Sequence, residues 1–247
     1  MKLLLTFLLS TLPSSQPKIS AIAHAGGGIQ GSTYTNSFEA MNLNYSKGFE
    51  LFELDFSWTS DQQLVCLHDW GKTPRWLLNY HGINPLTLKE FQLLDQKRTD
   101  ITLCDLDSLN LWLIEHPKAF IVTDIKEHNI DGLILMAESI EDAERRIIPQ
   151  ITQPEQYLLV KAIGFDSIIF TLYQFKGTNQ QVIESARNMD LFAITMPIHR
   201  AKQMLAKKLK HLNITTYVHT INSQEEAQEL KNTYGLTSII TDFLPAD

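Results

Sequence analysis

One short stretch of the chain, Phe49–Ser57, limits the possible folds more than any other. Glu53 and Asp55 lie two residues apart in a run that otherwise consists mainly of Leu and Phe. Successive side chains of a β-strand point to opposite faces, so these two carboxylates share one face. An unpaired buried charge costs on the order of several kcal/mol, and two like charges side by side cost more. The pair therefore requires a positive group between its members or a position at a wet strand end.

The residues after this strand predict a hairpin. Residues 58–63 form the polar turn signal Trp-Thr-Ser-Asp-Gln-Gln, and residues 64–69 (Leu-Val-Cys-Leu-His-Asp) return as a second strand-like run. A parallel crossover needs about a dozen residues or more, so this short connection must fold back on itself. The return sets His68 close to Glu53 and Asp55. Two acids and an imidazole at one spot are typical of a metal-assisted site.

Eight strand-like runs alternate with helical patterns when the hairpin return is set aside. This alternation over 247 residues predicts one α/β domain, a (β/α)8 TIM barrel with a β-hairpin insertion after strand 2. An open doubly wound sheet is the alternative, but no phosphate-binding glycine fingerprint follows a strand and opens a helix. The predicted runs begin at Ile19, Phe49, Ala119, Ile147, Ser167, Leu191, Ile214 and Ser238.

The first three barrel strands all end in residues that can carry chemistry. Active sites of such barrels lie at the C-terminal ends of the strands. We therefore expect one site there, to which these strand ends contribute His24, Glu53 with Asp55, and Asp124 with Lys126.

Local patterns add three further predictions. Gly26–Gly28 form a loop whose backbone amides could approach a ligand closely, or they equally mark a flexible turn. Thr35 or Asn36 is expected to cap the first helix, because Glu39 follows Asn36 at capping-box spacing. One helix is predicted over residues 198–211.

Composition narrows the class of function. The formal net charge of −7 argues against a surface that binds nucleic acid or another polyanion, and it suits an acidic site that takes a cation. No run of 18 apolar residues is present, so the sequence predicts no internal membrane span. Cys66 and Cys104 are too few for a metal knuckle. Because Cys66 falls in an apolar strand-like run, a buried free thiol is favoured over a disulfide.

The N-terminal residues allow two interpretations. Lys2 and the apolar residues 3–9 resemble the basic and apolar regions of a secretory signal, with a cleavage site near Ser14. The alternative is a short helix packed on the end of the barrel. We therefore divide the chain into residues 1–17, a signal peptide or N-terminal helix, and a barrel domain of residues 18–247. The first interpretation predicts a periplasmic or secreted protein, and the second a cytoplasmic one.

From residue 18 onward, the motifs resemble the glycerophosphodiester phosphodiesterase family. That family has a strand ending in His-Arg-Gly, then Glu-Asn and a helix, Glu-Leu-Asp, a hairpin, His-Asp, and later Glu-Ile-Lys. The matching segments are residues 24–26, 36–40, 53–55, 59–61, 68–69 and 124–126, with 219–222 and 241–245 near the C-terminus. Three positions depart from the pattern. Ala25 stands where the family has an Arg that contacts the phosphate. Thr35 stands in place of the Glu of the Glu-Asn pair, and Asp124 in place of the third acid, which is usually Glu.

The resemblance implies a role for each candidate residue. Three carboxylates would hold a divalent cation, Ca²⁺ or Mg²⁺, because both ions prefer hard oxygen ligands. Two histidines would be general acid and general base, in an order that the sequence leaves open. A lysine would offer positive charge to the phosphate, and two further side chains would shape the pocket for the alcohol. The three carboxylates would be Glu53, Asp55 and Asp124, and the two histidines would be His24 and His68. The lysine would be Lys126, and the side chains that shape the alcohol pocket would be His219 and Trp58.

The predicted function is metal-dependent hydrolysis of a small-molecule phosphodiester, a glycerophosphodiester or a related compound, to glycerol phosphate and an alcohol. Two alternatives remain at this stage. One is a phospholipase-like enzyme that uses the same two histidines on a lipid headgroup, and the other is a non-catalytic barrel that binds a ligand. The sequence does not determine the oligomeric state.

Overall fold

Eight parallel strands form a closed ring in the computed structural model of the chain, which describes residues 17–97 and 100–246. The ring follows the order of the chain and closes because β1 pairs with both β2 and β9. The predicted TIM barrel is therefore confirmed. The proposed signal peptide or N-terminal helix falls almost entirely on residues 1–16, outside the described residues. The barrel strands are β1 (Ile22–Ala23), β2 (Leu51–Trp58), β4 (Phe120–Ile125), β5 (Ile147–Ile151), β6 (Ile169–Thr171), β7 (Ala193–Pro197), β8 (Thr216–His219) and β9 (Ser238–Thr241).

The remaining strand, β3 (Leu64–Cys66), is the predicted hairpin return. It pairs antiparallel with the end of β2, with Phe56 opposite Cys66 and Trp58 opposite Leu64. Leu67 continues the return beyond β3, because its backbone N–H donates to the carbonyl oxygen of Asp55 over 3.0 Å. The hairpin thus carries the chain back along β2 and ends beside the acidic part of that strand.

A layer of buried apolar side chains fills the barrel interior, and every barrel strand contributes at least one of them. Along a strand, a residue two positions further on points to the same face. Two positions beyond this layer lie His24 after Ile22, Glu53 after Leu51, Asp124 after Val122 and His219 after Tyr217. The inner face therefore changes from apolar to polar toward the C-terminal mouth. The apolar layer consists of Ile22, Leu51, Phe120, Val122, Ile148, Ile169, Ala193, Tyr217 and Ile240.

The helices pack around the outside of the ring, where a second and larger group of buried apolar side chains separates them from the strands. Among the described residues, no helix has the length and apolar character needed to cross a bilayer. The helices are α1 (Phe38–Ser46), α2 (Thr73–Leu77), α3 (Leu88–Asp95), α4 (Leu106–Glu115), α5 (Asn129–Ser139), α6 (Ala143–Arg146), α7 (Gln156–Ile163), α8 (Asn179–Ala186), α9 (Ile198–Lys202), α10 (Leu205–Lys210) and α11 (Gln224–Tyr234).

Two helix predictions need correction. Helix α1 is capped by Ser37, whose side chain accepts from the backbone N–H of Ala40, and not by Thr35 or Asn36. The helix predicted over residues 198–211 is two helices, α9 and α10, because Met204 between them has a left-handed backbone with φ of 65°.

The prediction of a free Cys66 thiol was wrong. Cys66 and Cys104 form a disulfide with their Cα atoms 5.0 Å apart. Both cysteines are fully buried, as expected, but the segment before α4 lies directly against β3, and the Cys66 N–H donates to the Cys104 carbonyl over 2.7 Å. Burial alone does not distinguish a free thiol from a disulfide when the second cysteine lies on a neighbouring segment.

Candidate active site

An open cavity of about 190 Å³ lies at the C-terminal mouth of the barrel. It brings together seven of the eight predicted site residues. The eighth, Trp58, lines a neighbouring cavity, which His68 and Lys126 also line. The lining of the central cavity is His24, Tyr34, Glu53, Asp55, His68, Asp124, Lys126, Gln150, Thr171, Tyr173, His219, Thr220 and Ile240.

The scaffold holds one oxygen of each buried acid on β2. Glu53 accepts from the backbone N–H of Ala25, with 2.8 Å between the nitrogen and Oε2. Asp55 accepts at Oδ2 from the side-chain amide of Asn36 over 3.0 Å. The Asp55 N–H in turn donates to the Asn36 side-chain oxygen over 2.9 Å. These bonds orient both carboxylates, and each acid keeps a second oxygen that they do not occupy.

Asp124 is held in the same way. The hydroxyl of Tyr173 donates to Asp124 Oδ1 over 3.0 Å. Glu53, Asp55 and Asp124 each offer one carboxylate oxygen to a group of atoms that all lie within 4.8 Å of one another. Three such oxygens match the ligands that Ca²⁺ and Mg²⁺ prefer, so the donor set fits a hard divalent cation.

The ammonium group of Lys126 supplies the positive charge that the acids require. Its Nζ lies 2.5 Å from Asp55 Oδ1 and 2.7 Å from Asp124 Oδ2. Burial lowers the pKa of Lys126, but the charges of Asp55, Asp124 and Glu53 outweigh burial and raise it. Lys126 is therefore a permanent cation here, and a bound metal ion would compete with it for the same two oxygens.

Glu53 responds differently to the shared charge. Burial and then the charge of Asp55 raise the pKa of the Glu53 carboxyl, although His24 and Lys126 act in the opposite direction. Without further positive charge at the site, Glu53 thus takes up a proton more readily than an ordinary glutamate. A cation bound beside it would reverse this tendency.

His24 is fixed by Asp242, which follows β9, the strand that pairs with β1 where the ring closes. Its Nδ1 lies 2.8 Å from Asp242 Oδ1, and Asn222 donates to the second oxygen of Asp242 over 2.7 Å. Burial lowers the pKa of His24, but the Asp242 hydrogen bond and the charges of Glu53, Asp242 and Asp55 outweigh burial and raise it to about 9. His24 is therefore protonated at neutral pH, with Nε2–H as its second donor.

His68 stands at the end of the hairpin return. The hydroxyl of Ser57 donates to the Leu67 carbonyl over 2.8 Å, which fixes the residue before the imidazole. The Nδ1 of His68 lies 3.0 Å from Asp69 Oδ2. Because a carboxylate only accepts hydrogen bonds, Nδ1 is the donor, and Nε2 remains for a substrate.

Asp69 itself is held in the ionised form. Burial raises its pKa, but hydrogen bonds from Lys72, Thr73, His68 and Gly71 outweigh burial and hold that pKa well below its usual range. Asp69, the partner of His68, thus stays a negatively charged hydrogen-bond acceptor throughout the pH range in which proteins are usually studied.

His219 follows a different pattern from the other two histidines of the cavity. Burial and the charge of His24 lower the pKa of His219 to about 4, although the charge of Asp124 acts in the opposite direction. His219 is therefore neutral at neutral pH. It can offer a hydrogen bond or a ring surface, but it adds no charge to the cavity.

The glycine loop packs against protein, and none of Gly26–Gly28 lines the central cavity. Gly27 and Gly28 are required by close packing, because a Cβ at Gly27 would overlap the Asn44 side chain and one at Gly28 would overlap Phe243. The Gly28 N–H donates to the Asp242 carbonyl over 2.7 Å. The loop thus brings the end of β9, with Asp242, next to His24.

Among the residues of the site that had no assigned role in the sequence analysis, three contact predicted residues: Asp242, Tyr173 and Tyr34. Asp242 obeys the rule that identified the other acids, because it directly follows β9, so its position alone would have found it. Tyr173 lies two residues after β6. Tyr34 belongs to a loop and gave no periodic signal at all.

A sequence model of the Glycerophosphoryl diester phosphodiesterase family matches residues 27–246. None of the curated protein sequences compared with the chain is significantly similar to it.

Several solved structures share the fold. A glycerophosphodiester phosphodiesterase from Thermotoga maritima superposes with a TM-score of 0.68 at 16% identity, covering 92% of this chain and 96% of the other. A glycerophosphodiester phosphodiesterase from Parabacteroides distasonis superposes with a TM-score of 0.68 at 18% identity, covering 92% of this chain and 94% of the other. A phosphodiesterase from Oleispira antarctica was solved with the product sn-glycerol-3-phosphate. It superposes with a TM-score of 0.68 at 18% identity, covering 91% of this chain and 93% of the other. At these identities the similarity carries the fold alone.

Proposed function

Because the chain belongs to the glycerophosphoryl diester phosphodiesterase family and is thus a phosphoric diester hydrolase, we propose that it hydrolyses a glycerophosphodiester to glycerol phosphate and an alcohol. The observation that carries this proposal is the arrangement at the barrel mouth. Two carboxylate-paired histidines and a lysine line the same cavity as a group of three acids. An acid, a base and positive charge for a phosphate are the groups that phosphodiester hydrolysis requires.

The two histidines are assigned complementary proton transfers. His24 has Nδ1 on Asp242 and is protonated at neutral pH, which supports a role as general acid. In the proposed step, His68 takes a proton at Nε2 from the attacking water or hydroxyl, which forms the new P–O bond. His24 gives the proton on its Nε2 to the departing alcohol oxygen as the old P–O bond breaks.

Glu53, Asp55 and Asp124 are proposed to hold a divalent cation, Ca²⁺ or Mg²⁺. Such an ion would neutralise charge on the phosphate when it is bound. Lys126 is proposed to contact a phosphate oxygen. It bridges Asp55 and Asp124 in the metal-free protein, so its ammonium is already at the floor of the cavity.

The alcohol of the substrate is proposed to contact His219 and Trp58. His219 lines the wall of the central cavity as a neutral ring. Trp58 lines the adjoining cavity, and its indole N–H donates to the Glu127 carbonyl over 2.7 Å, so the ring is fixed in place. The adjoining cavity lies on the side of His68, and a substrate bound at the acids can extend into it.

The test is an assay with Ca²⁺ or Mg²⁺ present against a panel of glycerophosphodiesters and lysophospholipids, with identification of the products. Release of glycerol phosphate from glycerophosphodiesters is expected. If only the lipids are cleaved, the phospholipase-like alternative replaces this proposal. If nothing is cleaved and a substrate still binds, the non-catalytic barrel replaces it.

His24→Ala and His68→Ala test the roles of the histidines. Loss of a general acid or base should lower kcat by roughly 10²- to 10⁴-fold. His211→Ala removes an exposed histidine that follows α10, away from the barrel mouth, and serves as the matched control. If both single variants keep wild-type kcat, the acid–base assignment is wrong.

We further propose that the protein is exported to the periplasm or the medium. The basic and apolar start of the sequence supports this, and so does the Cys66–Cys104 disulfide, because disulfides persist mainly in oxidising compartments. N-terminal sequencing of protein from the native host should find a mature chain that begins shortly before Ile19. An intact Met1 in a cytoplasmic fraction would refute export.

A further inference from the structure

Tyr34 lies between the two histidines at the mouth of the cavity. Its ring centroid is 4.6 Å from that of His24, with the ring planes at 82°. On its other side it is 5.3 Å from His68, with the planes at 90°. Both are edge-to-face contacts, one of the arrangements that aromatic rings favour. One side chain therefore touches both members of the proposed acid–base pair.

The backbone that carries Tyr34 is held in an unusual conformation. Tyr34 has φ of 57° and Asn36 has φ of 48°, both in the left-handed region that non-glycine residues rarely adopt. Such residues persist where their surroundings fix them, and they cluster at functional sites. Asn36 is fixed by its N–H, which donates to the Ala25 carbonyl over 3.0 Å, and by two hydrogen bonds with Asp55. The loop is thus anchored to the acidic strand.

Packing of the barrel does not explain this placement. Tyr34 is 40% exposed, whereas Tyr217 inside the barrel is fully buried. Tyr34 also carries no charge of its own here, because burial and the charges of Asp55, Asp242 and Glu53 raise its pKa above the ordinary value. What remains is the contact of its ring with the two imidazoles.

Each imidazole needs such a contact. The hydrogen bonds at Nδ1 of His24 and His68 hold each ring at one atom, and by themselves they do not determine the tilt of the ring about the line to the carboxylate. A rotation of this kind would move Nε2 relative to the phosphorus. This matters most for His68, whose side chain is 39% exposed and has little packing around it.

We propose that Tyr34 is a positioning residue, whose ring holds His24 and His68 apart and fixes both imidazoles so that each Nε2 faces the substrate phosphate. The inference rests on the proposed function, since it assumes that these histidines exchange protons with the substrate. Misplacement of a catalytic group by about 1 Å can cost roughly 10²-fold in rate, so removal of the ring should be visible in kcat.

Two substitutions separate the ring from the hydroxyl. Tyr34→Phe keeps the ring and should keep kcat within about twofold, whereas Tyr34→Leu removes the ring and should lower kcat roughly 10- to 100-fold. KM for the best glycerophosphodiester should change by less than about threefold in both variants, because a positioning residue acts on the chemical step. The melting temperature should stay close to wild type, because Tyr34 is largely outside the core.

Tyr45 provides the matched control. It makes the same kind of edge contact with a histidine outside the cavity, His116, at 4.7 Å and 87°. It also packs on the buried rings of Phe52 and Trp112. Tyr45→Leu should therefore lower the melting temperature and leave kcat per folded molecule unchanged, the reverse of Tyr34→Leu.

Three results would overturn the inference while the proposed function stands. The first is wild-type kcat in Tyr34→Leu. The second is an equal loss in Tyr34→Phe, which would assign the effect to the hydroxyl. The third is a rise in KM with kcat unchanged, which would make Tyr34 a substrate contact. If the wild-type protein cleaves no glycerophosphodiester, the proposed function itself fails, and this inference fails with it.

Discussion

At the scale of single residues, the charge of His24 depends on Asp242. Burial by itself would favour the neutral imidazole, and the hydrogen bond from Nδ1 to Asp242 together with the surrounding acids reverses that preference. The pKa of about 9 lies above the ordinary value of 6.5, so folding stabilises the imidazolium form. This contribution to stability is complete below about pH 6.5 and is lost as the pH rises through about 9.

Asp242→Asn tests this dependence, because it removes the charge and keeps the shape. In metal-free protein, an NMR titration should place the pKa of His24 near 9 in the wild type and well below that in the variant. The free energy of unfolding from urea titrations should fall between pH 6.5 and pH 9.5 in the wild type, and much less in the variant. At pH 8 the variant should also lose activity, since a smaller fraction of His24 carries a proton to donate.

Asp131→Asn is the control for this experiment. Asp131 lies 3.9 Å from His128, but both side chains are 72% exposed, so solvent screens the pair. The substitution should change neither the pH dependence of stability nor kcat. An unchanged His24 pKa in Asp242→Asn would show that Asp242 does not hold the proton on His24.

Residues on strands were easier to predict than residues on loops. Glu53 and Asp124 were found because the two-residue period of a strand determines which face a side chain occupies. Tyr34 was not found, because two left-handed residues set its direction and no period exists in such a loop. Gly27 and Gly28 were found but misinterpreted, since the sequence does not tell whether a ligand or a side chain approaches a glycine.

At the scale of secondary-structure elements, the hairpin strand β3 is the support of His68. It is one strand of only three residues, but it is tied to β2 on one side and to the segment before α4 by the Cys66–Cys104 disulfide on the other. An isolated two-stranded hairpin has marginal stability in water, so this additional anchor matters for the position of His68.

Replacing both cysteines by serine should loosen this support. For a disulfide that spans 38 residues, the chain-entropy argument gives a loss of about 4 kcal/mol in the free energy of unfolding as an upper figure. The urea midpoint should fall, and kcat should fall in the range where the double variant is still folded, because His68 is less well placed. Dithiothreitol should move the wild type toward the variant and leave the variant unchanged. Equal urea midpoints for the two proteins would contradict this account.

Two features at this scale were not predicted from the sequence: the break between α9 and α10 and the disulfide. The strands and most helices were predicted from hydrophobic periodicity. This periodicity is reliable because it places apolar side chains in the two buried groups inside and outside the ring of strands. The break between α9 and α10 did not follow, since Met204 adopts a left-handed backbone that its side chain does not announce. The disulfide was missed because it depends on which segments become neighbours.

At the scale of the whole molecule, closure of the ring is what assembles the site. His24, which follows β1, meets Asp242, which follows β9, only because these two strands pair, although the two residues are 218 positions apart in the chain. The alternation of eight strands with helices predicted this closure. The sequence could not predict the partners across it, because pairing of side chains depends on register at the point of closure.

The closed barrel holds the three acids of the site together whether or not a cation is present. Lys126 offsets part of their repulsion, and a divalent ion at Glu53, Asp55 and Asp124 would offset the rest. A ligand that binds only the folded state stabilises it by about 2.7 kcal/mol at roughly a hundredfold excess over Kd. For a domain of this size, that corresponds to a rise in Tm of roughly 5 to 10 °C. Ca²⁺ and Mg²⁺ should each be titrated into chelator-treated protein while Tm and hydrolysis are followed.

Asp55→Asn should remove most of this rise and abolish the activity that the ion restores, because it deletes one charge and keeps the shape. Asp107→Asn, an exposed position on α4, is the control and should respond to the ion like the wild type. Tm reports binding independently of turnover, so a rise in Tm without activity would separate a metal site from a catalytic one. If neither ion changes Tm and hydrolysis persists in chelator, Lys126 and the protonated His24 supply the positive charge at these acids without a metal ion. The metal-independent, phospholipase-like mechanism would then describe the site better.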